Sequence, residues 1–326
     1  MEYAAVELDM KSSNVPPSGC RAWAFSSEYI ETSAGTGNWE AFHASPFTIH
    51  DVLIAARLWA SQLKGRDKLW LCWNVDPAWC VVQQALILSV GWTPVVGFDP
   101  RCGPAPLLPG AIGIDFNAPF GFRTMWPHFV VEFAHVFSER LAFWHSDLLL
   151  RKDQLSDYAH RFEMLSQGQV IATQETRSWK ARLTGRKVTR AWELLGCVTR
   201  EGSQNLFAQG CGWWMCFYLH PMHVGHHERL RRTHEFWDHG TGVLYWARRA
   251  GGQLKLIPER DIHEGHFTRI GREKTYKVIG GTDWRRDLTR DLASNFSLED
   301  ACNHFGLQAE FDVARPYLNT LNDSRR

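Results

Sequence analysis

Net charge is nearly absent from this chain: 36 Lys and Arg against 35 Asp and Glu leave +1 at pH 7. That balance excludes a global field strong enough to draw in a polyanion or an anionic membrane surface. Long hydrophobic runs are missing too, and none approaches the about 18 residues that a membrane-spanning helix requires. The eight Cys residues are scattered and include no CxxC pair, the usage expected of reduced thiols rather than of a disulfide framework. Glu2, Glu7 and Asp9 stand where a secretory leader would carry positive charge. The expectation is a soluble cytoplasmic protein with no membrane partner, and nothing in the sequence speaks to its oligomeric state.

Familiar nucleotide and metal fingerprints are also lacking. Gly35-Thr36-Gly37 fits neither the dinucleotide nor the P-loop spacing. The stretch from Cys211 to His239 holds six His residues, yet no His-Glu pair in it is followed by a second His at the zinc-protease spacing. Cys211 and Cys216 are poorly spaced for a structural zinc site with those histidines.

What is present is a core. Apolar residues make up 44% of 326 and charged residues 22%, as in a globular chain of one large α/β domain or two smaller ones. Sixteen Trp residues suit stacking on rings or sugars, and serve equally as core filler.

Residues 1–20 read as a flexible lead-in, followed by a strand over Arg21 to Ile30 and a Gly/Ser/Thr-rich loop. A helix is expected over Thr48 to Leu63, a buried strand over Lys68 to Val75, and a helix opened by Pro77, a residue suited to a first turn. Thr93 to Phe98 is a third strand. The Pro- and Gly-rich stretch from Asp99 to Phe122 is an ordered loop. Pro127 to Arg140 resumes as a helix. Alternating strands and helices predict an α/β fold with a mainly parallel, Rossmann-like sheet flanked by helices.

The chain's organising stretch is Leu141-Ala-Phe-Trp-His145-Ser146-Asp147. An apolar run entered from Ser138-Glu139-Arg140 predicts a buried strand, and ligands of such sheets gather at the carboxyl ends of strands. Alternation along the strand would point His145 and Asp147 to one side, where they could share a divalent cation. Asp147 as the cap of a polar turn is the plainer alternative.

Beyond Asp147 the reading is a polar helix over Lys152 to Gln167, a short strand over Gln169 to Gln174, and an acid-free run from Arg177 to Arg190 with six basic residues. Arg177, Lys180, Arg182, Arg186 and Lys187 in that run could meet phosphate, flanked by Trp179 and Trp192 as stacking surfaces. A solvated face is the alternative. Gly240 to Trp246 is expected to bend into a strand, with Asp238 at the mouth of the sheet, and Gln253 to Pro258 is the last strand. His266, in Ile262-His-Glu-Gly-His-Phe267, could return to the same rim.

This layout resembles the A-type (GT-A fold) nucleotide-sugar glycosyltransferases. In that family an Asp-x-Asp motif after about the fourth strand holds a divalent cation on the donor diphosphate. Phe143-Trp-His145-Ser-Asp147 stands in that position, with His in place of the first Asp. The resemblance implies Mn²⁺ or Mg²⁺ held by Asp147 and His266, donor contacts from Arg123, His145 and Ser146, and Asp238 as the base at the acceptor hydroxyl. It also implies a nucleotide-sugar-binding half over 21–150, a mixed acceptor half over 151–280 and a C-terminal helical appendage over 281–326. Members of the fold that glycosylate hydroxymethylated DNA bases must hold a polyanion beside the donor. Arg177 to Arg190, Arg229 to Arg232 and Arg269 to Arg290 supply basic clusters, which makes duplex DNA a candidate partner. A protein, lipid or small-molecule acceptor, a nucleotidyltransferase, and a non-catalytic nucleic-acid- or glycan-binding protein are the alternatives.

Overall fold

The computed structural model describes residues 49–63, 65–100, 102–121, 125, 127–174, 191–209, 211–213, 240–267 and 297–323. Within them a seven-stranded sheet runs in the order β3-β2-β1-β4-β6-β5-β7. Its strands are β1 (Lys68–Asn74), β2 (Thr93–Phe98), β3 (Ile112–Gly113), β4 (Arg140–Trp144), β5 (Gln169–Gln174), β6 (Ala191–Thr199) and β7 (Gln253–Pro258). β1, β2, β3 and β4 are mutually parallel, β6 is antiparallel to both β4 and β5, and β7 is parallel to β5. One strand of the seven, β6, therefore runs against the rest. The α/β expectation holds, with a mixed sheet whose irregular half is the C-terminal one.

Every residue of β1 after Lys68 is buried, as befits a parallel strand covered on both faces. Side-chain alternation divides the core in two. Leu69, Leu71, Trp73, Leu141 and Phe143 point to one face, whereas Trp70, Cys72, Ala142 and Trp144 point to the other. The first face is covered by α1 (Ile49–Leu63), α3 (Pro127–Val131), α4 (Ala134–Phe137), α6 (Arg200–Ala208) and α7 (Thr241–Arg249). The second is covered by α2 (Pro77–Ser89), α5 (Lys152–Glu163), α8 (Leu298–His304) and α9 (Gln308–Asp323). The result is three layers, helices on both sides of a sheet. Phe305, Phe311 and Ala314 of the C-terminal region share one core with Val82 and Leu86 of α2, so the last two helices belong to the sheet's outer layer.

Several local expectations change. Pro127 to Arg140 is two short helices, because Phe133 N bonds to Val130 O and Val136 N to Phe133 O in tight i→i+3 turns, after which β4 begins at Arg140 itself. Thr241 onward is a helix and not a strand. Gly240 takes a left-handed φ of 79° before it, and a Cβ there would overlap the Ala191 carbonyl. The glycine therefore marks close approach to β6, and Val243, Leu244 and Trp246 bury one side of the helix it starts. Ala191–Thr199, all buried, is a strand that the pattern of basic and aromatic residues around it concealed. Trp192 accordingly lies in the sheet. The loop between β2 and α3 contains the two-residue β3.

The expected strand over Arg21 to Ile30 and the loop after it lie outside the described residues.

Candidate metal centre

β4 delivers its chain to the carboxyl edge of the parallel strands, beside the point where strand order reverses. From β1 the chain moves to β2 and β3 on one side and then to β4 on the other. A crevice at such a switch is the usual ligand site of an open α/β sheet.

The ladder with β6 continues one residue beyond β4, as His145 N donates to Leu194 O at 3.0 Å. The chain then turns over Ser146 and Asp147, closed by Leu148 N on His145 O at 3.1 Å. Gln83 of α2, fully buried, fastens the turn from below by donating Nε2 to both His145 O and Leu148 O, each at 2.9 Å. The two side chains thus converge through a turn and not through strand alternation, a correction to the mechanism expected from sequence.

The third residue arrives from 119 positions further along. Leu149 N donates to Gly265 O at 2.9 Å and Phe267 N to Asp147 O at 2.8 Å, which flanks an antiparallel bridge between Leu148 and His266. Gly265 is required by contact, since a Cβ would run into the Leu149 carbonyl. Phe267 anchors the segment between Trp79 of α2 and Phe305 at the end of α8, with ring centroids at 5.5 and 5.9 Å. Arg151 pairs with Glu264 at 2.8 Å and His304 with the same carboxylate at 3.1 Å.

The three donor atoms are nearly equidistant. Asp147 Oδ1 stands 3.4 Å from His266 Nε2 and 3.6 Å from His145 Nδ1, and the two nitrogens are 3.3 Å apart. All three separations lie at the long end of hydrogen-bonding distance. They match the edge of a tetrahedron of ligands at about 2.1 Å from a central cation, roughly 3.4 Å. Asp147 and His266 are buried at 6% and 5% exposure. Trp192 of β6 stands edge-on to both imidazoles, with centroids at 5.5 and 5.2 Å.

Burial acts to raise the Asp147 carboxyl, but the charge of His266 and the hydrogen bonds of both imidazoles outweigh it and hold its pKa well below the usual carboxylate range. Burial likewise works to lower the His145 imidazole, and its bonds to Asp147 and Glu193 reverse the sign and leave it raised. An anion is thus kept ionised where a cation would sit.

A second group adjoins the first. Glu193, on β6, places Oε1 3.4 Å from His145 Nε2 and 2.9 Å from His128 Nε2 of α3. His145 therefore belongs to two clusters, His145-Asp147-His266 and His128-His145-Glu193. Sequence reading found the first and missed both Glu193 and His128. A signal was available for the former, which is the single charge in the apolar run Ala191-Trp-Glu-Leu-Leu-Gly-Cys-Val198.

Ser146 is half-buried in the turn between His145 and Asp147. Arg123, Asp238, Arg177, Lys180, Arg182, Arg186 and Lys187 lie outside the described residues, as do Arg229 to Arg232 and Arg269 to Arg290. Gly240, two residues after Asp238, packs at the start of β6 and donates its N–H to Trp213 O at 2.9 Å. No protein-family model, curated protein or solved structure matches this chain.

Proposed function

We propose that this chain is a metal-dependent glycosyltransferase that takes its sugar from a nucleoside-diphosphate donor. The observation that carries the reading is the equidistant trio His145, Asp147 and His266 at the carboxyl edge of β4, beside the switch between β1 and β4.

The charge of that trio suits a diphosphate. One carboxylate and two neutral imidazoles around a divalent cation leave a net positive centre, whereas a cluster of three carboxylates would leave a negative one. A cation in such a centre neutralises charge developing on a departing nucleoside diphosphate. Asp147 supplies the fixed anion, and the two imidazoles supply neutral lone pairs. Gln83 and the Gly265 backbone hold the donors in place before any ligand arrives. Imidazole-rich donor sets favour transition metals, and carboxylate or carbonyl oxygens favour Mg²⁺, so Mn²⁺ is the better match of the two ions.

The nucleotide-sugar donor is taken from the resemblance to the A-type glycosyltransferases, in which His145 occupies a position usually held by Asp. A hydroxyl acceptor follows from the same resemblance, with a hydroxymethylated DNA base as the specific proposal and Asp238 as the base. A second reading deserves a place because two His and one carboxylate with open positions also describe the ferrous site of non-haem oxygenases.

The test is a panel of nucleoside-diphosphate sugars incubated with the protein and Mn²⁺. Release of the nucleoside diphosphate from one donor, dependent on the metal and lost in Asp147→Ala, is the expected result. No release from any donor, together with metal-dependent O₂ consumption in the presence of Fe²⁺, would transfer the site to the oxygenase reading.

A further inference from the structure

Two ring nitrogens of one histidine face two different clusters. His145 Nδ1 looks toward Asp147 and His266, and its Nε2 looks toward Glu193. An ionised carboxylate can only accept, and a neutral imidazole has one donor and one acceptor nitrogen. We propose that Glu193, braced by His128, is a positioning residue: it accepts the Nε2–H of His145 and so reserves the Nδ1 lone pair for a cation shared with Asp147 and His266.

This inference rests on the reading of that trio as a metal centre and adds to it which nitrogen binds and how many ions are held. Glu193 is 7% exposed, and its other neighbour, His128 Nε2, is 2.9 Å from the same oxygen. Glu193 Oε1 thus lies within ion-pair distance of two imidazoles. The arrangement is the carboxylate–histidine–metal chain in which an outer acceptor fixes the ring's tautomer and orientation. Trp192, edge-on to the His145 ring, opposes its rotation.

The geometry also excludes a second ion at His128-His145-Glu193 when the first is present. Both ions would need a lone pair on His145, and a ring that coordinates through both nitrogens must give up its last proton. The cavity on the Glu193 side measures about 10 Å³ and is walled by Phe143, Trp144 and Trp213. It has room for the centre of about one water. These two adjoining clusters therefore share one ion at most.

The experiment is titration of the metal-free chain with ¹¹³Cd²⁺, followed by calorimetry and by ¹⁵N NMR of the ¹⁵N-histidine-labelled protein. One ion should bind at His145, with ¹¹³Cd–¹⁵N coupling to Nδ1 and a retained proton on Nε2. Glu193→Leu should bind about 10- to 100-fold more weakly. Glu193→Gln, which keeps an acceptor oxygen, should recover most of that loss. Coupling through Nε2, two ions coupled to His145, or unchanged affinity in Glu193→Leu would overturn the positioning role while leaving a metal centre standing. No binding by the wild-type chain would remove the metal centre itself, and this inference with it.

Discussion

Asp147 carries the negative charge of the trio, so its replacement separates a metal centre from a turn cap. In Asp147→Ala the backbone bonds of the turn, Leu148 N to His145 O and Phe267 N to Asp147 O, persist because they need no side chain. The variant should keep wild-type far-UV circular dichroism, and the rise in melting temperature expected of the native chain with Mn²⁺ should disappear in it. That rise exists only if the ion binds the folded state in preference to the unfolded one. An undiminished rise in the variant would reduce Asp147 to a cap. A second residue sets the acid limit. His135 is buried beside Phe207, its Nδ1 3.3 Å from Ser203 Oγ, and burial, aided by the charge of Arg200, lowers its pKa from 6.5 to about 4. The fold thus prefers the neutral ring. Below the unfolded value the unfolded chain binds the proton first, so stability is lost as pH falls from about 6.5 toward 4, and is fully present above that window. The loss amounts to about 3 kcal/mol. Urea titrations at pH 7 and pH 4.5 should show a larger drop for the wild type than for His135→Gln, and equal drops would refute the assignment.

Among elements, the strap formed by Gly265, His266 and Phe267 positions a site residue through backbone bonds to Leu149 and Asp147. Gly265→Ala forces a methyl against the Leu149 carbonyl, and overpacking of this kind costs about 1–3 kcal/mol. Equilibrium unfolding should register that cost, and Mn²⁺ affinity should fall with it because His266 moves. An affinity unchanged within error would show that the strap yields without displacing the ring. The elements also show what the sequence disclosed. Lys68–Asn74, Thr93–Phe98 and Gln169–Gln174 were legible because apolar runs of strand length have Asp or Gly close to at least one end. His266 was legible as a late histidine after a strand. β6 was not, since Glu193 interrupts its apolar run at the third residue and Arg177 to Arg190 draws attention before it. His128 follows Pro127 in an unremarkable helix start, and only the fold brings it to Glu193. The helix after Gly240 reads as a strand entry until the glycine's contact with Ala191 is known.

Across the whole molecule, a net charge of +1 makes any nucleic-acid affinity a property of local clusters. If duplex DNA is the acceptor, binding should weaken log-linearly as salt rises, because each phosphate contact releases counterions. Replacement of Arg182, Arg186 and Lys187 by Ala should flatten that slope. Absence of binding at low salt, or a slope unaffected by the triple replacement, would take DNA off the list and leave the other hydroxyl acceptors.

The reversed strand sets an order of events during synthesis. β6 lies between β4 and β5, although β5 precedes it in the chain. A nascent chain that has reached Gln174 already contains β1, β2, β4 and β5, yet the buried strand β4 still shows a bare edge, because its partner on that side has not been made. Exposed apolar edges recruit other chains, and pairing of strands distant in sequence is slow. A fragment that stops before Ala191 should therefore precipitate or pair with its own copies more readily than one extended through Thr199, in which only the β5 edge still waits for β7. Light scattering during cell-free translation of the two lengths would show it. The strand that brings Glu193 to His145 is also the one that joins β5 to the rest of the growing sheet.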